Sequence, residues 1–119
     1  MHELSIAYSL VETATRAAQQ AGVTQVEAVH LQLGLLCGVV KDALLFSYEI
    51  ACEGTPLAGS RLEIEELPVI VFCPTCQTNQ PLPGIQLFRC PVCGIPTPDV
   101  LQGREIQLTA LEYPNDPPA

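Results

Sequence analysis

Cys73-Pro74-Thr75-Cys76 and Cys90-Pro91-Val92-Cys93 are two Cys-x2-Cys pairs with thirteen residues between them, each with proline directly after its first cysteine. Two residues between thiols let one tight turn aim both sulfurs at a single ion, and two such knuckles complete a tetrahedral four-sulfur site. Backbone N–H groups in those turns can also bond the sulfurs. Zn(II) is the default ion, being redox-silent and suited to small structural sites, although iron in a rubredoxin-like site would use the same knuckles. Four thiolates close the coordination shell, so the site reads as structural rather than catalytic. The surrounding segment, residues 69–103, is rich in proline and poor in periodicity. It therefore reads as an inserted zinc-ribbon module without an apolar core of its own.

On either side of the module the pattern is regular. Ile106, Leu108 and Ala110 alternate with polar neighbours, as a strand returning to a main sheet. Upstream, Leu62 and Ile64 alternate with Arg61, Glu63 and Glu65, a strand with one wet face that ends near Pro68. Within Val23–Leu33, the residues Val29, Leu31 and Leu33 alternate with His30 and Gln32, which predicts a half-buried strand closed by Gly34. Val39, Ala43, Phe46 and Ile50 fall at i, i+4, i+7 and i+11, so a helix burying that stripe should lie between the two strands and end at Cys52-Glu53-Gly54. Strand, helix and strand in that order form a crossover with parallel strands. A first helix is expected from Leu4 to Ala21, where apolar residues recur at steps of three and four, with Glu3 at its positive end and Gly22 as its stop.

Composition excludes several function classes. Apolar residues make up 48% of the 119 and charged ones 15%, too apolar and too weakly charged for a disordered chain. Thirteen acidic against five basic side chains give a net charge of −8, the wrong sign for binding nucleic acid or anionic membranes through phosphates. Between Cys73 and Cys93 the only charged residue is Arg89 and the only aromatic is Phe88, so the ribbon lacks the residues for phosphate contacts and base stacking. The longest apolar stretch, Leu33–Val40, is eight residues, far below the roughly 18 that span a bilayer. The opening residues carry no basic n-region, so the expected compartment is a reducing cytoplasm, where paired cysteines are metal ligands before they are disulfides. Cys37 and Cys52 read as buried thiols. His30 reads as a polar-face residue of its strand. No Ser-His-Asp set, phosphate-cradling glycine loop or clustered carboxylate pair is present, and no enzymatic activity is expected.

His2 stands at the chain terminus. The α-amine of Met1, the amide nitrogen of His2 and its imidazole can close adjacent chelate rings on one metal, a nitrogen set that favours Ni(II) or Cu(II) over zinc. Glu3 can add an oxygen donor or a second amide nitrogen. Met1-His2-Glu3-Leu4-Ser5 opening a helix, Leu31-Gln32-Leu33-Gly34, Leu45-Phe46-Ser47-Tyr48-Glu49, Gly54-Thr55 and the two Cys-Pro-x-Cys knuckles together resemble the hydrogenase maturation nickel metallochaperones, the HypA/HybF family. The resemblance covers all but the proline-rich tail.

That resemblance implies an α+β fold: two helices packed on a three-stranded mixed sheet, with the four-cysteine zinc ribbon inserted between the last two strands. With it the chain divides into a nickel-binding α/β domain (1–68 and 104–113) and a zinc-binding domain (69–103), and the tail left over (114–119), rich in proline, reads as disordered. It implies Ni(II) as cargo at Met1, His2 and Glu3, and structural Zn(II) at Cys73, Cys76, Cys90 and Cys93. Some family members carry a further acidic ligand near the start of the second helix; Val40 stands at that place here and Asp42 lies two residues on, so none is assigned. The expected partners are a nickel-handling GTPase of hydrogenase maturation and the hydrogenase large subunit, with the chain a monomer or weak homodimer. The alternatives are a zinc-stapled protein-interaction adaptor in which His2 has no metal role, and an iron-loaded electron carrier.

Overall fold

A computed structural model describes residues 3–82 and 88–114. The expected nickel donors Met1 and His2, and residues 115–119 of the expected disordered tail, lie outside the described residues. The elements in chain order are α1 (Glu3–Gln20), β1 (Ala28–Gly34), α2 (Lys41–Cys52), β2 (Arg61–Leu67), β3 (Ile70–Cys73), β4 (Thr78–Pro81), β5 (Val100–Gln102) and β6 (Ile106–Glu112). They form two three-stranded sheets, ordered β2-β1-β6 and β4-β3-β5. The expected α+β architecture of two helices, a three-stranded mixed sheet and a cysteine module is the one observed.

Hydrogen bonds fix the strand directions. Arg61 N–H donates to Glu27 O at one end of the β1–β2 pair and Leu35 N–H to Leu67 O at the other, so these strands run parallel as the crossover requires. Glu27 N–H donates to Glu112 O, and Gly34 N–H to Glu105 O, so β6 runs antiparallel to β1. The chain falls into two compact units. Among the described residues the first comprises 3–31, 39–64 and 108–114, and the second 32–38, 65–82 and 88–107.

In the first unit α1 packs on α2. The face of α1 that is buried is small: Ala7, Ala14 and Ala18 with Leu10 and Val11. The helix stops in a Schellman turn, with Val23 N–H donating to Ala18 O and Gly22 N–H to Gln19 O, and with Gly22 at φ +72. The stripe expected to bury α2 is wrong. Phe46 is 68% and Ile50 39% exposed, while Leu44, Ser47, Tyr48, Ala51 and Cys52 face inward. Both faces of α2 carry apolar residues, so periodicity alone offers two stripes. The buried one holds Tyr48, whose hydroxyl lies 2.6 Å from Ser60 Oγ and so satisfies its polar tip inside the core. Burial pushes the Tyr48 phenol well above its ordinary value.

In the second unit β3 pairs antiparallel with β4, Cys73 opposite Thr78, and with β5 on its other side. Contrary to expectation the segment has a small apolar cluster: Val69, Val71 and Leu82 are buried, with Leu36 and Val100 packed against them. The alternation in Ile70-Val71-Phe72-Cys73 that supplies it spans only four residues, too short to stand out as a strand.

Candidate metal centre

The first knuckle is the β3–β4 turn itself. Cys73 ends β3, Thr78 opens β4, and Pro74-Thr75-Cys76-Gln77 spans the gap. Cys76 N–H donates to Cys73 Sγ at 3.3 Å, the amide-to-sulfur bond expected of a knuckle. Gln77 turns the chain back at φ 54, the single non-glycine residue with positive φ among the described residues. The second knuckle has the same plan. Val92 N–H donates to Cys90 Sγ at 3.4 Å, Gly94 N–H donates to Cys90 O at 2.9 Å, and Gly94 sits at φ +79, directly after the second cysteine as Gln77 does. Arg89, noted in the sequence only as a lone charge, donates from Nη1 to Gly94 O at 3.1 Å and braces this turn.

The two knuckles bring all four sulfurs within 4.8 Å of one another. Cys73 Sγ lies 3.4 Å from Cys93 Sγ, and Cys76 Sγ lies 3.9 Å from Cys90 Sγ. An ion with four Zn–S bonds of ~2.3 Å in tetrahedral array would set the sulfurs roughly 3.8 Å apart, so the donor set fits zinc. Cys73 and Cys90 are buried, Cys76 is half-buried and Cys93 is exposed. The backbone N–H groups of Cys93 and Val92 pull Cys90 down to about 6, whereas hydrogen bonding to the Cys73 and Cys93 side chains pushes Cys76 up to about 12. At Cys93 the Ile95 amide acts downward, but burial and the neighbouring Cys73 and Cys90 thiols outweigh it and the net shift is upward. A dication held by Cys73, Cys76, Cys90 and Cys93 would let every sulfur ionise. Its coordination shell would then be closed, which would supply folding energy and leave no open position for a substrate.

Among the described residues these cysteines are the one group of three or more His, Cys, Asp or Glu side chains placed to hold a metal. Of the expected nickel donors only Glu3 is described. It opens α1, and its Oε2 accepts the N–H of Val40 at 3.2 Å. Val40 is exposed and brings no donor side chain. His30 is half-buried, with Nε2 3.4 Å from Glu112 Oε2. Cys52 is buried as expected, and burial raises its thiol, so it is no activated nucleophile. Cys37 is only half-buried. No described helix is long and apolar enough to cross a membrane.

A family described as hydrogenase/urease nickel incorporation, metallochaperone, hypA matches residues 1–113. The chain is 57% identical over 118 residues to the hydrogenase maturation factor HypA of Roseiflexus sp. (strain RS-1), covering 99% of this chain and 96% of that protein. It is 40% identical over 112 residues to the factor of the same name from Synechococcus sp., covering 94% and 98%. The solution structure of the Ni metallochaperone HypA from Helicobacter pylori shares the fold at a TM-score of 0.66, with 22% identity and coverage of 95% and 97% of the two chains.

Proposed function

We propose that this chain, which belongs to the HypA family of hydrogenase and urease nickel-incorporation metallochaperones, binds Ni(II) at Met1, His2 and Glu3 and delivers it for maturation of [NiFe]-hydrogenase. A metallochaperone moves an ion and makes or breaks no bond of a substrate; the chain is not an enzyme. The observation that carries the reading is the family match over residues 1–113, which takes in both the N-terminal Met-His-Glu and the four cysteines. Zn(II) at Cys73, Cys76, Cys90 and Cys93 would be a permanent structural ion. The division of labour assigns nickel to residues 1–68 and 104–113 and zinc to 69–103.

The mechanism is ligand exchange. Met1 and His2 would offer an amine, an amide nitrogen and an imidazole, donors that a partner's ligands can displace one at a time. A closed tetrathiolate offers no such stepwise route and keeps its ion. The receiving partners are a nickel-handling GTPase and the hydrogenase large subunit, in the cytoplasm, and the acidic charge of the chain favours a basic partner surface.

Metal analysis of the full-length protein beside a version with one residue added before Met1 tests the reading. The extension moves the amine without touching the described fold. Zinc should stay at one per chain in both, and specific nickel binding should be lost in the extended protein and in His2→Ala. Undiminished nickel binding in both variants would place the nickel site elsewhere, and no nickel binding by the unaltered protein would leave a zinc-stapled adaptor.

A further inference from the structure

Helix α2 starts without a cap of its own. Its N-cap residue is Val40, extended at φ −83 and ψ 117, and valine has no side-chain acceptor to offer the first turn. Residue 3 lies across from it. Glu3 Oε2 accepts the Val40 N–H at 3.2 Å, a bond that joins residues 37 apart in sequence. The geometry is half of a capping box, in which a carboxylate reaches back to the N–H of the N-cap residue; here the carboxylate comes from another helix. A negative group at this place also meets the positive end of the α2 dipole.

Glu3 is the residue to which the Met1-His2 arm is covalently joined. We infer that its carboxylate is a tether rather than a nickel ligand: it ties the start of α1 to the start of α2, so that the chelating arm begins from a fixed point. Oε2 is turned toward the Val40 N–H, and residue 3 then offers the metal its amide nitrogen. A residue held in place in this way loses less freedom when it joins an ion. The Glu3 carboxylate is thus a positioning group. The inference rests on the N-terminal nickel reading for its consequence and on the Val40 contact for its existence.

The two parts separate in one experiment on the full-length, zinc-loaded protein. Amide hydrogen exchange at Val40 is followed by NMR without nickel, and nickel affinity is then measured by titration with NiCl2. The variants are Glu3→Gln, Glu3→Ala and the double variant Glu3→Ala with Val40→Ser. Glu3→Gln keeps an oxygen acceptor, so Val40 protection and nickel affinity should stay within about twofold of the unaltered protein. Glu3→Ala should lose the protection and bind nickel about fivefold to tenfold more weakly. In the double variant serine caps α2 directly, so thermal stability should return while nickel affinity stays low.

Glu3→Gln binding as weakly as Glu3→Ala would make the carboxylate charge a requirement of the metal and overturn the tether. Recovery of nickel affinity in the double variant would reduce Glu3 to a stabiliser of α2. Unchanged Val40 exchange in Glu3→Ala would remove the contact itself. Were the unaltered protein to bind nickel no better than the N-terminally extended one, the nickel reading would fail, and the exchange data would still decide the tether.

Discussion

Gly34→Ala separates a backbone argument from a packing argument, because the two predict opposite signs. Gly34 is the last residue of β1, and its φ is not in the left-handed region. On backbone grounds alone, alanine there restricts the unfolded chain and should stabilise the fold by about 0.4–1 kcal/mol. Packing says otherwise. A Cβ on residue 34 would lie 2.7 Å from the Arg104 amide nitrogen and closer still to the Gly103 carbonyl, where non-bonded carbon normally needs roughly 3.5 Å. Neither side can yield easily. Gly34 N–H donates to Glu105 O at 2.7 Å, Leu36 N–H to Gly103 O at 2.6 Å, and Gly103 N–H to Glu105 Oε1 at 2.8 Å. Behind Gly103 stands buried Val69, whose Cγ2 is 3.2 Å from where a Cβ of residue 103 would be. Overpacking costs about 1–3 kcal/mol, and parting the chains strains one or two backbone hydrogen bonds worth about 1 kcal/mol each. Net destabilisation of about 2–4 kcal/mol should lower Tm by roughly 10 °C in a chain of this size. Urea unfolding of the zinc-loaded protein, followed by circular dichroism, measures it. Gly59→Ala is the control: residue 59 has φ +80 and open space around its Cβ, so it should cost only about 1–2 kcal/mol. A Gly34→Ala protein as stable as the parent would refute the packing argument.

Cys76→Ser should drop zinc from one per chain toward zero and abolish amide protection in β3, β4 and β5, while the α1–α2 circular dichroism signal persists; full zinc content in that variant would undo the four-sulfur assignment. Gln77→Gly should stabilise the first knuckle by up to about 1 kcal/mol, since a left-handed conformation costs an L-residue about that much; a loss of thermal stability would contradict it. Burial raises the Tyr48 phenol in the folded protein only, so the native state holds that proton more tightly than the unfolded chain. Its effect on stability is therefore absent below pH ~10 and grows as pH rises through ~10, lowering stability by at most about 1.4 kcal/mol per pH unit. Tyr48→Phe should lose about 1 kcal/mol at neutral pH with the Ser60 bond and flatten that alkaline slope in urea titrations; an unchanged slope would show that other groups cause it.

The metal centre was legible in the sequence because its chemistry is local. Each pair of cysteines is brought together by a turn of four residues, and the second pair repeats the first, so spacing alone identifies the donors. The strands β1 and β2 were legible for a similar reason, since period-2 alternation in Val29–Leu33 and Leu62–Ile64 records which side faces the core. Their parallel pairing followed from the helix between them. Tertiary structure alone decided the rest. Around α2 both Val39-Ala43-Phe46-Ile50, which starts before the helix, and Leu44-Tyr48-Ala51 satisfy a helical period, and only the position of α1 and the hydroxyl of Ser60 make the second the buried one. The cluster of Val69, Val71 and Leu82 is assembled from residues up to thirteen positions apart, with Leu36 contributed from before α2, so no window of sequence contains it. The bond from Val40 to Glu3 spans 37 residues and uses a main-chain donor that every residue but proline possesses. Side-chain pattern encodes which residues want to be buried or ligated; it does not encode which backbone group a distant carboxylate will find.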